Sequence, residues 1–268
     1  MLRRFIEIVA TEGFRGSIDA IVRYINYKIL RSTNKILFSY GTGRVCNICG
    51  WNGSKFLRFG IEQRPDSLCP RCGSKERHRH LWEYLTSEIL DSSSNRILYF
   101  APIIGLEHNI RNLSQTRVTT TDLNQTYVDV RADICDLPFQ NCAFDLIICS
   151  HVLEHIRDDF VALQEIYRVL DKDGRALILI PQDRKLEFTY EDSTISTRQQ
   201  RLNSYGSPDH VRLYGRDAAN KFDTVGFDVS TIDYTQKFEE GFVRTHRLQE
   251  HENWMYSTTC IFECSKSC

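Results

Sequence analysis

The run from Phe144 to His155 constrains this chain more than any other stretch of its sequence. Six largely apolar residues, Phe144-Asp145-Leu146-Ile147-Ile148-Cys149, end abruptly in Ser150 and His151, after which a helical pattern begins. A strand buried on both faces reads as such a run, and in an open α/β sheet it delivers its carboxyl end to a binding crevice. Phe160, Leu163, Ile166, Tyr167 and Leu170 recur at helical spacing, and Asp171-Lys172-Asp173-Gly174 stops the helix. Arg175 to Ile180 then reads as the next buried strand. Alternating strands and helices of this kind predict an α/β fold around a mostly parallel sheet.

Other segments keep the same order. Ile97-Leu98-Tyr99-Phe100 reads as a strand running into Ala101-Pro102-Ile103-Ile104-Gly105, and Val118 to Thr121 as a second strand with Asp122 at its tip. Ala132-Asp133-Ile134 and Asp136-Leu137-Pro138-Phe139 follow. Together with the Leu153-Glu154-His155 turn, this ordered set resembles class I S-adenosylmethionine-dependent methyltransferases of the small-molecule (type 11-like) kind, over about two thirds of the chain. The resemblance implies a Rossmann-like, seven-stranded, mostly parallel sheet with helices on both faces. It implies S-adenosylmethionine as cofactor, its methionine portion near Ala101, Pro102 and Gly105 and its ribose on Asp122 beside Leu123. Adenine would lie by Asp133 and Ile134, below Ser150 and His151 at the end of the fourth strand. An ionised carboxylate suits ribose hydroxyls because it is a pure acceptor. One departure stands out. The turn after the first strand holds a single glycine, Gly105, where the family usually has two or three, so a non-catalytic scaffold with a degenerate cofactor site stays open as an alternative.

Cys46-Asn47-Ile48-Cys49 and Cys69-Pro70-Arg71-Cys72 form two C-x2-C pairs separated by 19 residues, each followed by glycine (Gly50, Gly73). This spacing predicts a zinc-ribbon-like module in which four thiolates close a tetrahedron around a structural Zn2+. His78 and His80, in Arg77-His78-Arg79-His80, read as solvated basic side chains at the start of a helix. Cys135, Cys142 and Cys149 read as small hydrophobes in or beside the core, and Cys260 and Cys264 as flanking the last strand, Ser257 to Glu263. The paired knuckles and the lack of a cleavable signal pattern point to a reducing, cytoplasmic compartment. No run of 18 apolar residues is present to span a membrane.

The formal charge of −1 hides an asymmetry: residues 1–82 hold 15 Lys/Arg against 6 Asp/Glu, and residues 83–268 hold 19 against 29. A basic front third suits an anionic partner such as RNA, a phosphate-bearing substrate or an anionic surface; equally, front and back attract each other. Residues 1–40 form an amphipathic helical segment that would dock on a core or on a second copy as a homo-oligomer. The zinc-ribbon-like module takes residues 41–82 and the methyltransferase domain residues 83–268, with Leu81 to Leu90 as the helix between them. Residues 182–208 form a polar insertion placed to cover the crevice as a lid, followed by a helix at about 217–225.

Methyl transfer needs alignment, exclusion of water and, for a hydroxyl, removal of a proton. His151 and His210 are the candidate catalytic bases, with His151 first because it stands at a strand's carboxyl end; His155 is a further candidate. His151 and His155 lie four apart, but no third metal ligand is evident in the sequence. A Pro-Pro-Tyr type loop for amino groups of DNA bases and a Pro-Cys nucleophile are both absent. The reading is therefore methylation of oxygen or nitrogen on a small-molecule or glycan acceptor. The alternative is an RNA methyltransferase that binds substrate through Arg71, Arg77 and Arg79.

Overall fold

The computed structural model describes residues 41–60, 63–90, 95–113, 116–249 and 256–266; the helical segment expected in residues 1–40 lies outside them. Four short strands come first: β1 (Arg44–Val45), β2 (Asn52–Gly53), β3 (Leu57–Phe59) and β4 (Arg64–Leu68), paired as two antiparallel hairpins. Helix α1 (Glu76–Tyr84) leads away from them and loosens into a π turn over Leu85–Ile89. The helix expected at residues 81–90 thus begins earlier, at the Lys75 N-cap.

The main sheet follows: β5 (Asn95–Phe100), α2 (Ile104–Arg111), β6 (Thr116–Thr121), β7 (Phe144–Ser150), α3 (Asp159–Val169), β8 (Leu170–Leu179), α4 (Arg198–Tyr205), α5 (Ala218–Asp223), β9 (Phe227–Ile232), α6 (Glu240–His246) and β10 (Ile261–Lys266). Its order is β6-β5-β7-β8-β10-β9, and β10 runs antiparallel to both neighbours. The last strand thus sits a few residues beyond the expected Ser257–Glu263, and Ser257 instead bridges Gln182.

Period-two alternation builds the layers. Leu98, Phe100, Ile147, Cys149, Ala176 and Ile178 face one side, where α3 and α5 add Leu163, Ile166 and Phe222. Ile97, Tyr99, Leu146, Ile148, Leu177 and Leu179 face the other, against Leu81 and Tyr84 of α1 and Leu106 and Ile110 of α2. Because both faces are covered at the centre of the sheet, β7 and the end of β8 carry no polar face, which is why they read as continuous apolar runs.

The sheet has six strands among the described residues, not the seven expected. Where one more would stand beside β6, only an isolated parallel bridge joins Thr121 to Val130. The carboxylate of Asp129 accepts from the Thr120 N–H (2.8 Å) and the Thr120 hydroxyl (2.9 Å), taking the place of a main-chain ladder. Two further expectations fail. His78 and His80 are buried rather than solvated, at 5% and 0% exposure, and Cys142 is exposed at the turn before β7.

The hairpin region packs directly on the sheet domain. Arg79, with no exposed surface, donates from Nη1 to the Ser74 carbonyl (2.9 Å), from Nη2 to those of Ser67 (3.1 Å) and Arg247 (3.1 Å), and from Nε to that of His246 (2.7 Å). Its guanidinium also stacks on Phe56, 4.1 Å from the ring centroid. Removing a buried charged donor strands its acceptors, at about 1–3 kcal/mol for each group left unpaired. Arg79→Lys cannot reproduce the fork. Chemical denaturation should show Arg79→Lys destabilised by about 3–5 kcal/mol, with the hairpin region more open to limited proteolysis than the sheet.

Candidate functional site

Strand β5 lies between β6 and β7, so the chain departs to opposite sides of it, and the crevice outside its carboxyl end is where open sheets bind ligands. Here the crevice has a volume of about 510 Å³. Phe100, Ala101, Thr121, Asp122, Leu123, Asn124, Ala132, Asp133 and Ile134 line one part, and His151, Val152, His155, Ile156 and Asp209 the other. Of the nine residues expected to bind a cofactor, Ala101, Asp122, Leu123, Asp133, Ile134 and His151 therefore meet on one surface.

The backbone turns sharply at both central strand tips. Ala101 follows β5 with φ +46°, and His151 follows β7 with φ +57°. This is the left-handed region that favours glycine, so the turn keeps a glycine-like conformation at Ala101 without a glycine. Each is pinned by a neighbouring strand: Ala101 N–H donates to Thr121 (2.9 Å) and His151 N–H to Leu179 (2.8 Å). Asp122 Oδ1 accepts from the N–H groups of Asn124 (2.7 Å) and Gln125 (2.8 Å), which fixes the carboxylate at the rim. Asp133 Oδ1 accepts from Cys135 N–H (2.9 Å) in the same manner. Among the described residues the buried hydroxyls of Thr121 and Ser150 have no hydrogen-bond partner, and at Thr121, which lines the crevice, a bound polar ligand relieves that cost.

Gly105 is placed elsewhere. A Cβ there would meet Cys72 Cβ at 3.1 Å and Ile48 Cγ2 at 3.4 Å, so the glycine lets α2 press against the cysteine region rather than against a ligand. Pro102 and Ser150 do not line the crevice.

Beyond His151 the short turn Leu153–His155 brings three polar side chains towards one point. The carboxyl of Glu154 has no exposed surface; its Oε1 lies 3.1 Å from His151 Nδ1, off line for a hydrogen bond, and 4.0 Å from His210 Nε2. Burial raises the Glu154 carboxyl to about 8, and burial with the nearby Arg77 and Lys75 charges holds His151 well below its usual value. Burial, then His155, lowers His210 to about 4. His210 Nδ1 donates to the Tyr205 carbonyl (3.2 Å) and His155 Nδ1 to that of Asp209 (3.2 Å), so each imidazole keeps an Nε2 lone pair. The two rings meet edge to face, 4.8 Å apart. Glu154, His155 and His210 also have ligand atoms within 4.8 Å of one another, a grouping that leaves His151 out and so does not complete a His151–His155 pair.

Arg212 locks this turn in place. Almost fully buried, it donates to the carbonyls of Leu153 (3.0 Å), Ile156 (2.5 Å) and Arg157 (2.7 Å) and pairs with Glu191 (2.9 Å). Glu154 and Arg212 are the residues that sequence reasoning passed over; the position of Glu154 directly after a strand tip was the available signal for the first.

The four module cysteines lie with all sulfurs within 4.8 Å of one another, Cys46 to Cys72 at 3.7 Å and Cys49 to Cys69 at 3.6 Å. Thiolates 2.3 Å from one tetrahedral zinc ion stand about 3.8 Å apart, whereas a disulfide closes to about 2.05 Å. The two knuckles repeat one turn. Gly50 N–H donates to Cys46 and Gly73 N–H to Cys69, at 2.8 and 2.9 Å, with φ of +67° and +75° at the glycines. Four sulfurs so disposed can hold one zinc ion with no position left for substrate.

Comparison with known proteins agrees with this geometry. Residues 94–178 match a family model described as a methyltransferase domain. The chain is 34% identical over 76 residues to the uncharacterized methyltransferase YcgJ of Bacillus subtilis, covering 28% of each protein. It is 30% identical over 132 residues to an uncharacterized 37.1 kDa protein in transposon TN4556 of Streptomyces fradiae, covering 48% of this chain and 37% of that one. The chain thus spans about a third of the length of the curated relatives it matches. Among solved structures, the [4+2]-cyclase SpnF superposes with a TM-score of 0.51 at 14% identity, over 70% of this chain and 81% of that one, a likeness of fold alone. Most of the strands and turns that frame the crevice therefore fall in residues 94–178, the segment that resembles a methyltransferase domain, within a Rossmann-like fold.

Proposed function

We propose that the chain is an S-adenosylmethionine-dependent methyltransferase acting on oxygen or nitrogen of a small-molecule or glycan-type acceptor. One observation carries the reading: Asp122, Asp133 and the left-handed Ala101 turn line a single crevice at the carboxyl ends of parallel strands. Both backbone bonds to Asp122 fall on Oδ1, so Oδ2 is available to a ribose hydroxyl. Ile134 covers an adenine face while Asp133 receives its amine. The orphaned Thr121 hydroxyl, which lines the crevice, gains a polar partner. The bound cofactor supplies a methyl group on a positively charged sulfur, which departs as a neutral thioether.

The chain's own part is to hold the acceptor in line, keep water out and take a proton. His151 and His210 flank the Glu154 carboxyl from two sides, and the fixed tautomer of His210 presents a lone pair. We assign proton removal to this trio, with Glu154 as the member whose affinity for a proton lies nearest neutral pH. The cysteine cluster holds Zn2+ as a structural ion, giving the small hairpin region a folding energy that its few apolar residues cannot provide. Arg79, with no exposed surface, cannot touch RNA, which removes one of the three arginines on which the RNA reading rested.

Calorimetry should show S-adenosylhomocysteine binding to the wild type, weakened by about 1–3 kcal/mol in Asp122→Ala. A folded wild type that binds neither it nor S-adenosylmethionine would support the inert scaffold. Metal analysis of protein prepared without chelator should give close to one zinc per chain, falling sharply on Cys46→Ser or Cys69→Ser.

The raised Glu154 carboxyl has two consequences for pH. Ionised Glu154 is the proton acceptor, so turnover should climb as pH rises and level off above about 8, and Glu154→Gln should lose that limb. For stability, the folded value lies above the ordinary glutamate value of about 4.3, so the buried neutral form favours folding at low pH. That contribution is complete below the ordinary value and is lost as pH rises through about 8. Melting temperatures measured between pH 5 and 9 should fall more steeply for the wild type than for Glu154→Gln.

A further inference from the structure

A second cavity of about 320 Å³ adjoins the crevice and shares His151 and His155 with it as a common wall. Three parts of the chain enclose it: Arg64, Lys75 and Arg77 from the cysteine region, Glu154 with His151 from the strand tip, and Tyr205 of residues 182–208 with His210 just beyond them. The cysteine region thus builds one wall of the space nearest the catalytic trio, a position its zinc-holding role does not require.

That wall is cationic. Arg64 is partly neutralised within the wall by Glu76, 3.4 Å away. Lys75 instead sits over the Phe59 ring, with Nζ 3.9 Å from the centroid, and no carboxylate lies within ion-pair distance of it among the described residues. Among the described residues the one carboxyl lining the cavity is that of Glu154, which is fully buried and lies near two histidines. Burial first, then Arg77 and Arg64, pushes Lys75 down to about 6, so its amine is largely uncharged at neutral pH, and an incoming anion draws a proton back onto it. Lys75 and Arg77 line the same cavity as His151, a residue it shares with the crevice.

We propose that this cavity seats the methyl acceptor and that the acceptor carries a small anionic group, a phosphate or a carboxylate, held by Lys75 and Arg77. The proposal rests on the methyltransferase reading for the reaction but not for the binding of the anion. A guanidinium offers a paired donor edge to either group and an ammonium offers a point charge. Anchored there, the acceptor presents its hydroxyl or amine to the common wall, where the methyl group arrives. The proton released on forming the new O–C or N–C bond passes to the Glu154–histidine trio, and the S–C bond electrons remain on sulfur.

The test is titration of full-length, zinc-loaded protein with inorganic phosphate and, separately, with acetate, at constant ionic strength set by chloride and followed by NMR or calorimetry. One of the two should bind in the millimolar range, and the one that binds tells phosphoryl from carboxyl acceptors. Arg77→Gln and Lys75→Met should each weaken that binding about tenfold, and Arg77→Lys should restore part of it. Zinc content and S-adenosylhomocysteine affinity should stay within twofold of the wild type. If S-adenosylhomocysteine fails to bind while the anion still binds, the crevice reading falls and the anion site stands. Absence of anion binding in folded wild type, or equal binding in both variants, overturns the proposal. So does a short RNA oligonucleotide that binds far more tightly than phosphate and loses that binding in the same variants.

Discussion

The buried guanidinium of Arg79 joins two parts of the chain that have separate cores. Two of its acceptors, Ser67 and Ser74, belong to the cysteine region, and the other two, His246 and Arg247, end helix α6 of the sheet domain. Arg247 takes a left-handed φ of +49° at that helix end and reaches back to the Asp66 carbonyl (3.2 Å). Asn109 of α2 adds a donor to the Ile48 carbonyl (2.5 Å), and Gly105 leaves room for Cys72. The four-cysteine region is therefore a fixed wall of the molecule rather than a finger on a tether. A zinc ion there would stiffen the surface that closes the second cavity.

The same economy governs the strand tips. Residues with a Cβ at positive φ cost roughly 1 kcal/mol or more each, and the structure places two of them, Ala101 and His151, at the ends of adjacent parallel strands. At His151 the turn throws the imidazole towards Glu154 instead of continuing into β-ladder geometry, and the Arg212 guanidinium holds the chain beyond it by the carbonyls of Leu153, Ile156 and Arg157. Strain at the tip and a charged clamp behind it are two halves of one device. The backbone is bent where the ligand must approach, and the bend is held from the buried side.

Much of this could be read from the sequence because the signals are local. A continuous apolar run broken at Ser150, a 3.6-residue stripe from Phe160 to Leu170 and two C-x2-C pairs each depend on neighbours within a few residues. The failures share an opposite origin. His78 and His80 look like polar residues at a helix start, yet α1 is pressed between the hairpins and the sheet, so both are covered. Gly105 looks like part of a ligand turn, yet its contact is Cys72, which lies 33 positions earlier in the chain. The missing strand beside β6 yields to the Asp129 side chain, and Glu154 becomes chemically distinctive only once the insertion brings His210 over it. Each of these depends on a contact that local pattern cannot carry.

The charge asymmetry can now be weighed with residues rather than totals. If front and back were held together by attraction, cations of the first 82 residues would pair with acids beyond them. Arg44 pairs with Asp66 (2.6 Å) and Arg64 with Glu76 (3.4 Å), both inside the front third, and Arg79 spends its charge on carbonyls. An ion pair that does cross, Arg247 with Asp66 at 3.7 Å, runs the other way, a back cation to a front acid. Among the described residues the seam shows hydrogen bonds to main-chain oxygen and apolar contact, and the pairs of Arg44 and Arg64 stay inside the front third. Lys75 and Arg77 line the second cavity together with His151, Glu154 and His210, so whatever the cavity admits meets them there. A field of one sign at a narrow, partly desolvated wall selects by charge before it selects by shape.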